Sequence, residues 1–509
     1  MRLIQVFLYE DLIAMYDFVI TGAGLAGLEF GYLMARKGRK VCVLEKDSRI
    51  GGCLQTFRRN GMLYDTGFHY VGGLDEGQPL NTLFKELDLL DLPWRRLDSD
   101  AFDEVIVGNE HYFFANGYEN FAEKIITDYK SNGHEISKES VEGIFEYARF
   151  LKEIGDNIFN VFDDAAHSNT MNLFARSAYQ FLKDTIKDEN LINVVSGTSM
   201  KLELRPETLP LYTFAQINSS FIGSAWRLEG GGMQIADKLA EGIRSFGGDV
   251  ITNAKVTKFI ENEGIIKAVE INDGEETIEG RNFISSIHPE LMLNLIPKEG
   301  SQIKNIFRKR IASLDNTYGM FTVNIKLKDG KVPYKNRNIY IHNSFDSIWR
   351  QSEYQPDFSS RSLMISYQVP ADGSMFTRNI DILMPMYWDE LTRWESTKVG
   401  RRGEGYEEMK RRFAEKCIEK ATEHIPELKG NIEEFHTSTP LTYRDYTGAV
   451  EGSAYGIRKD CNKSLMTVLA PNTSIPNLYM TGQNLNLHGV LGVTMTAFML
   501  YRHGKFKDI

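Results

Sequence analysis

Three glycines near the start of the chain have a spacing that suits the binding of a phosphate group. Gly22, Gly24 and Gly27 form the pattern G-x-G-x-x-G directly after the apolar residues 18–20. Gly22 allows a tight turn, Gly24 has no Cβ to block an approaching pyrophosphate, and Gly27 lets a helix pack close to a strand. The N–H groups and the positive dipole end of that helix attract phosphates. The pattern therefore predicts a site for a dinucleotide.

An acidic residue follows where a ribose would lie. Residues 40–44 form a second predicted strand, and Glu45 stands at its end. Its carboxylate can accept hydrogen bonds from both ribose hydroxyls of an adenosine, and its charge repels a 2′-phosphate. Three glycines can also form a plain turn, but a strand, a helix, a second strand and an acidic residue in this order argue against that alternative. The βαβ unit alone leaves FAD and NAD both open.

The residues after the second strand favour FAD. Arg49, Gly51 and Gly52 come first, and the sequence LYDTGFHYVGG follows at 63–73. This arrangement resembles the two-dinucleotide-binding-domain flavoproteins, in which a basic residue and a Gly-Gly pair line the diphosphate and ribityl path. Within that superfamily, the stretch containing His69 is most similar to retinol saturases, carotenoid isomerases and bacterial phytoene desaturases. The resemblance implies an FAD cofactor.

A second glycine-rich segment lies near the C-terminus. Residues 478–481 are predicted to be the last strand of the flavin domain, Gly482 lets the chain pass close to the ribityl or diphosphate, and residues 489–493 lead into a helix. The N-terminus of that helix can stabilise the negative charge of a reduced flavin around N1 and O2. Many relatives carry an acidic residue after this glycine, where the present chain has Gln483. His488 is either close to the flavin or a loop histidine.

The motifs and the resemblance together predict a non-covalent FAD site, because no cysteine lies in the closing motif. The predicted cofactor-binding residues are Gly22, Gly24, Leu25, Ala26, Gly27, Glu45, Lys46, Arg49, Gly51, Gly52, Thr66, Gly67, Val256, Gly482, Gln483, Gly492, Val493 and Thr494. No residue spacing indicates a metal site.

His69 and Tyr70 are the candidates for catalysis. Transfer of a hydride at flavin N5 requires orientation and exclusion of water more than acid or base side chains. His69 and Tyr70 are predicted to handle a proton or to face the substrate, and the alternative is that they only pack beside the flavin. The predicted function is an FAD-dependent oxidoreductase that saturates, desaturates or isomerises carbon–carbon bonds of a long apolar polyene, isoprenoid or retinoid-like substrate, with NAD(P)H as a candidate electron donor.

Two other functions remain open at this stage. A flavin amine oxidase would share the fold and the N-terminal fingerprint. A flavin-free carrier of prenyl or other lipids would also share the fold, but the intact glycines and Glu45 disfavour it.

The predicted fold is α/β, with a Rossmann-like FAD-binding domain of the glutathione-reductase type and an inserted α+β substrate domain. Residues 15–109, 228–299 and 466–509 are assigned to the FAD domain. Residues 110–227, mainly helical, and 300–465, an antiparallel sheet with helices, are assigned to the substrate domain. Residues 439–456 resemble the return strand of the family, which implies that Tyr443, Tyr446 and Tyr455 lie near the isoalloxazine. No second G-x-G-x-x-G follows a strand, so no separate NAD domain is predicted.

Composition restricts the partners. The chain has 509 residues with 69 acidic and 59 basic side chains, a net charge of −10 that argues against nucleic acid. Four scattered cysteines suggest a reducing compartment. No apolar run approaches the roughly 20 residues that span a bilayer. A cytoplasmic protein that touches a membrane peripherally is therefore expected, because an apolar substrate has to be collected from a membrane. The oligomeric state is not predicted. Residues 1–14, before Met15, are expected to be a mis-called start or a loose tail.

Overall fold

A computed structural model describes residues 15–162, 167–350, 358, 361–370 and 372–507. The expectation about residues 1–14 lies outside these described residues. The strands are β1 (Tyr16–Thr21), β2 (Val41–Leu44), β3 (Thr56–Arg59), β4 (Met62–Asp65), β5 (Val71–Gly72), β6 (Trp94–Arg96), β7 (Asp103–Val107), β8 (Glu110–Phe114), β9 (Ala225–Leu228), β10 (Asp249–Ile251), β11 (Val256–Asn262), β12 (Ile265–Ile271), β13 (Glu276–Ser285), β14 (Gly319–Leu327), β15 (Val332–Pro333), β16 (Asn338–His342), β17 (Leu363–Tyr367), β18 (Phe376–Thr377), β19 (Asn379–Met386), β20 (Ile432–Ser438) and β21 (Leu478–Met480).

The helices are α1 (Leu25–Arg36), α2 (Pro79–Glu86), α3 (Tyr118–Ser131), α4 (Lys138–Asp156), α5 (His167–Phe174), α6 (Ala178–Ile186), α7 (Glu189–Ser196), α8 (Leu211–Gly223), α9 (Met233–Ser245), α10 (Pro289–Asn294), α11 (Asn305–Ala312), α12 (Glu404–His424), α13 (Pro440–Thr447), α14 (Ser464–Thr467), α15 (Gly489–Tyr501) and α16 (Gly504–Lys507). In the part of the chain described here, no helix combines the length and the apolar character that crossing a bilayer requires.

The first sheet is mainly parallel and holds the glycine motifs. Its order is β10-β2-β1-β13-β12-β11. Strand β21 pairs with residues 283–285 of β13, on the edge opposite to β1. Strands β10, β2, β1, β13 and β21 run parallel, with Ile20 opposite both Val43 and Ile284. The buried strands are almost continuously apolar because α1, α9 and α15 pack with them in one core. This is the α/β fold with a Rossmann-like unit that the sequence predicts.

The second sheet has the order β20-β14-β19-β17-β16-β7-β8. All its pairs are antiparallel except β16 with β7. The predicted strands around 319–327, 363–367 and 379–386 are present. Helices α3, α4, α6 and α8 share a core with β7 and β8. Strand β7 therefore belongs to the second sheet although it lies before residue 109, where the predicted division falls.

One expectation from the sequence is wrong. Residues 439–456 do not return as a strand but form α13 and a following short 3-10 turn. Thr439 caps the helix, since its hydroxyl accepts from the Leu441 N–H, and Pro440 occupies the first helical position. A threonine cap followed by proline is a strong helix start. The local capping signal therefore determines the structure here, against the family pattern.

Candidate functional site

The glycine loop between β1 and α1 leaves open space on one side only. A Cβ added to Gly27 would lie 2.2 Å from the Gly22 carbonyl oxygen, and one added to Gly22 would lie 2.7 Å from Ser286 Oγ. A Cβ added to Gly24 would meet no atom within 4 Å. Gly24 is also the residue directly before α1, so the open side faces the N-terminus of that helix. Such a cradle suits a pyrophosphate.

A second glycine loop borders the same space. Gly51 donates its N–H to the Ala23 carbonyl over 2.8 Å. Gly51 and Gly52 have φ values of 102° and 54°, which favour glycine. A Cβ on Gly52 would lie 3.5 Å from the Gly24 Cα. The two predicted glycine segments therefore face each other across a gap that side chains would fill.

The acidic residue lies at the edge of this gap. Glu45 accepts hydrogen bonds from the N–H groups of Ala23 and Asp47, both over 3.1 Å. Burial raises the pKa of Glu45, against these two hydrogen bonds. The backbone N–H of Ala254 donates to the Glu45 carbonyl, which brings Val256 close to the same edge.

Two predicted basic contacts are engaged elsewhere. Lys46 pairs with Asp47 over 2.6 Å, and Arg49 donates to the Thr56 carbonyl over 2.7 Å.

The closing segment lies against the first turn of α1. A Cβ on Gly482, whose φ is 104°, would lie 3.7 Å from the Ala26 Cβ. Helix α15 begins at Gly489, and a Cβ on Gly492 would lie 2.8 Å from the Leu487 Cβ. The hydroxyl of Thr494 donates to Glu29 on α1 over 2.7 Å. The structure thus brings the N-terminal and C-terminal motifs to one edge of the first sheet.

His69 and Tyr70 lie in buried but different surroundings. Among the described residues, neither ring nitrogen of His69 has a hydrogen-bond partner. Its Nδ1 lies 3.9 Å from the carboxylate of Asp381. Burial, with a further contribution from Arg227, lowers the pKa of His69 to about 4, so the imidazole is neutral at pH 7. A buried imidazole without partners leaves both a donor and an acceptor for a ligand.

Two further carboxylates stand on the His69 side. Asp381 accepts from Asn324 over 2.6 Å and from Gln368 over 3.0 Å, and burial raises its pKa to about 6. Asp65 accepts from the Gly232 N–H over 2.8 Å, and burial raises its pKa to about 8. These carboxyl groups therefore change protonation close to neutral pH.

The hydroxyl of Tyr70 is the centre of a second cluster. It donates to Asp103 over 2.9 Å, accepts from Lys201 over 2.8 Å and lies 2.7 Å from the Tyr340 hydroxyl. The Lys201 ammonium lies 4.2 Å from the ring centre of Phe221. Burial lowers the pKa of Lys201 to about 8 and raises that of Asp103 to about 6, so their values bracket neutrality. Neighbouring groups with such pKa values are typical of proton-transfer sites.

A buried arginine connects the two clusters. Arg227 donates to Asn338 over 2.7 Å, and the Asn338 amide donates to Asp103 over 2.9 Å. The same guanidinium favours the ionised forms of Asp103 and Asp381. Lys201, Asp103 and Arg227 were not found from the sequence, because they follow no motif. They stand in three separate segments that carry no catalytic pattern.

His488 belongs to this region too. Its Nε2 lies 3.1 Å from the Lys201 carbonyl, and its ring lies 4.8 Å from that of Tyr455. Burial lowers the pKa of His488 to about 4. It is therefore a buried residue directly before α15 and not an exposed loop histidine.

The three tyrosines of the misassigned stretch are separated. Tyr455 donates to the Met200 carbonyl over 2.8 Å, and Tyr443 donates to the Thr66 carbonyl over 2.8 Å. Tyr446 is 53 % exposed, so the expectation that it lies in the site is wrong.

The residues at the glycine gap fit FAD. Gly24 and Gly52, which lack a Cβ, face each other beside the partly buried carboxylate of Glu45. Together with the N-termini of α1 and α15, they match a dinucleotide that has a flavin at its far end.

Comparison with known proteins identifies the family of the chain. The sequence profile of the family described as "Flavin containing amine oxidoreductase" matches residues 25–310. The chain belongs to this family. The predicted flavoprotein, its FAD cofactor and its oxidoreductase class are thereby confirmed.

The relatives of this chain include retinol reductases and carotenoid isomerases, the group that the DTGFHY stretch resembles. All-trans-retinol 13,14-reductase of Danio rerio is 25% identical, over 96% of the chain and 85% of the reductase. The human protein of that name is 23% identical, over 95% of the chain and 84% of the reductase. Chloroplastic prolycopene isomerase of Daucus carota is 22% identical, over 95% of the chain and 79% of the isomerase. The predicted resemblance is confirmed.

Solved structures support the fold of this flavoprotein. An oxidoreductase from Methanosarcina mazei has a TM-score of 0.60 at 16% identity, covering 95% of the chain and 99% of that protein. A fatty acid isomerase from P. acnes has a TM-score of 0.58 at 12% identity, covering 96% and 98%. At such identities the likeness concerns the fold alone.

Proposed function

We propose that this flavoprotein saturates a carbon–carbon double bond of a long apolar polyene or retinoid-like substrate. The observation that carries the proposal is the Tyr70 hydroxyl, held between Lys201 and Asp103. Saturation requires a proton as well as a hydride, and this cluster offers the proton. The similarity to retinol reductases along most of the chain supports the same reaction class. Neither desaturation nor isomerisation adds a proton from the protein to a substrate carbon together with a hydride.

FAD is proposed to bind without a covalent bond. The segments 15–109, 228–299 and 466–509 would hold it, with Gly24 and Gly52 at the pyrophosphate, Glu45 at the ribose and the start of α15 at the pyrimidine. When bound, the flavin supplies a hydride at N5. The segments 110–227 and 300–465 would enclose the substrate.

The protein would supply the proton. Tyr70 gives its hydroxyl proton to one carbon of the double bond while the other carbon receives the hydride, so that two hydrogens are added. The adjacent Lys201 ammonium returns a proton to the tyrosine and becomes a neutral amine, which its lowered pKa favours. His69, with both ring nitrogens without partners among the described residues, is proposed to contact the bound flavin or substrate.

The electron donor and the cellular setting complete the proposal. NAD(P)H is proposed as an external reductant. The protein is proposed to be cytoplasmic and to contact a membrane peripherally, where its apolar substrate dissolves.

An anaerobic titration followed by product analysis tests this function. Purified holoprotein is titrated with NADPH while the visible spectrum is recorded, and then mixed with all-trans-retinol and with other polyenes. We expect NADPH to bleach the flavin band. The band should then return while a product that carries two added hydrogens forms. Hydrogen peroxide formed with amines, without a reduced polyene, would make the protein an amine oxidase. Folded protein that cannot be loaded with FAD would instead favour a lipid carrier.

A further inference from the structure

An exposed apolar patch lies where α11 meets α14. Of the nine large hydrophobic side chains that are exposed in the described residues, three belong to this region: Ile306, Leu465 and Met466. Ile306 is 77 % exposed and Leu465 is 79 % exposed. Single exposed hydrophobic residues are common, but a group of them marks a contact surface.

The members of this patch are joined directly. The guanidinium of Arg310 donates to the carbonyls of Leu465 and Met466 over 3.0 and 2.8 Å. Ile306 lies one turn before Arg310 on the same face of α11. Ile306, Leu465 and Met466 therefore share one surface.

The patch is basic in a chain that is acidic overall. Lys304, Lys309 and Lys463 are exposed around it, and Lys309 follows Ile306 by three residues on the same helix face. No carboxylate among the described residues pairs with these three lysines. The net charge of the whole chain is −10, so the positive charge is local. Apolar tips surrounded by lysines match an anionic bilayer, where the tips enter the interface and the cations meet lipid headgroups.

The inner side of this surface borders the candidate site. Lys459 donates to the carbonyl of Thr467, the last residue of α14. Lys459 also lines a small cavity together with Leu202, Leu209 and His488. The residue before Leu202 is Lys201, whose carbonyl contacts His488. The patch therefore lies on the outer side of a segment whose inner side reaches the cavity beside His488.

We propose that the surface formed by Ile306, Leu465 and Met466, with Lys304, Lys309 and Lys463, docks this protein onto an anionic lipid bilayer. This proposal rests on the proposed function in one respect, namely that binding to lipid would serve to collect an apolar substrate. Binding to lipid is measured without turnover, so the two proposals can fail separately.

Vesicle sedimentation tests the surface. Holoprotein is mixed with vesicles of phosphatidylcholine alone and with vesicles that also contain phosphatidylglycerol. We expect sedimentation with the anionic vesicles, weakened by high salt. The double substitution Ile306→Glu, Leu465→Glu should lower the partition constant about tenfold or more, and Lys309→Glu should lower it about fivefold.

A matched control distinguishes this surface from general stickiness. Met375 is also 79 % exposed but lies on the turn before β18, so Met375→Glu should leave vesicle binding unchanged. Circular dichroism and flavin content verify that all variants are folded. Absence of wild-type binding, or equal losses in Met375→Glu and in the double variant, would overturn the proposal. A dimer that the double variant dissociates, without lipid binding, would assign the patch to a second copy and also overturn it. Lipid binding without polyene turnover would leave the surface standing and refute the proposed function.

Discussion

At the scale of single residues, the Tyr70 hydroxyl is the atom on which the proposed saturation depends. Tyr70→Phe removes this hydroxyl and keeps the ring that packs on Phe221. We expect product formation to fall about 100- to 10,000-fold, the usual contribution of a positioned proton donor. Reduction of the bound flavin by NADPH should keep its rate, because that step needs no proton for a carbon atom. Stopped-flow measurement of both half-reactions checks this.

The control for Tyr70→Phe is Tyr446→Phe. Tyr446 is exposed, so its substitution should change neither half-reaction. If Tyr70→Phe forms product at the wild-type rate, the hydroxyl is not the proton donor.

Lys201 gives the same reaction a pH dependence. Its pKa is lowered to about 8, so the ammonium is present below pH 8 and is lost as the pH rises through that value. Product formation should therefore be highest below pH 8 and fall above it. Lys201→Arg keeps a cation at every pH used and should move the decline to higher pH, whereas Lys201→Met should lower the rate at all pH values. A pH profile of single-turnover product formation, with flavin content as a control, measures this. A wild-type decline that is unchanged in Lys201→Arg would exclude the lysine as its origin.

At the scale of elements, the turn from β1 to α1 separates cofactor binding from folding. Gly24→Ala adds a Cβ into open space at a φ of −77°, so the apoprotein should keep its free energy of unfolding within about 1 kcal/mol. FAD binding should nevertheless weaken, because the methyl group enters the space proposed for the pyrophosphate. Gly27→Ala places a methyl group against the Gly22 carbonyl and should cost about 1–3 kcal/mol of stability. Urea denaturation of the apoproteins and flavin fluorescence titration measure the two effects. Equal FAD affinity of Gly24→Ala and wild type would place the pyrophosphate elsewhere.

The contact of α1 with α15 makes stability depend on pH. Glu29 is fully buried, and burial raises its pKa well above the ordinary value despite the hydrogen bond from Thr494. The folded chain keeps this proton at pH values where the unfolded chain has released it, so stability falls as the pH rises above the ordinary glutamate pKa. Glu29→Gln should remove this dependence and raise the melting temperature more at pH 8 than at pH 5. Calorimetry at both pH values tests this, with the exposed Glu275→Gln as control. Equal shifts at the two pH values would contradict it.

Local elements were predicted well from the sequence, and their assembly was not. The glycine spacing and Glu45 predict the βαβ unit because the turn, the strand and the helix lie within thirty consecutive residues. Tyr70 and Lys201 meet only after the helices between them and the second sheet have packed, so no spacing reveals them. Asp103 reaches the cluster because β7 pairs in parallel with β16, a pairing between distant segments. The Thr439 cap is the opposite case, because a threonine followed by proline is a helix start that can be read from the sequence.

At the scale of the whole molecule, the proposed FAD site joins segments from both ends of the chain. FAD should therefore protect both ends together. Addition of FAD to the apoprotein should slow amide hydrogen exchange in residues 22–27 and 489–494 to a similar extent, and should raise the melting temperature with FAD concentration. Adenosine alone should protect only the first segment, since the second is proposed to hold the flavin half. If FAD protected only one of these two segments, a site shared by both ends of the chain would be contradicted.

Strand β13 connects these ends, and its position has a consequence for biosynthesis. It pairs with β1 on one edge and with β21 on the other, and β21 is translated long after β13. Until residue 480 has left the ribosome, the edge around Phe283, Ile284 and Ser285 has no strand to pair with. An open, apolar edge invites pairing with other nascent chains. Synthesis of this protein therefore passes through a stage in which that edge is open to association with other nascent chains.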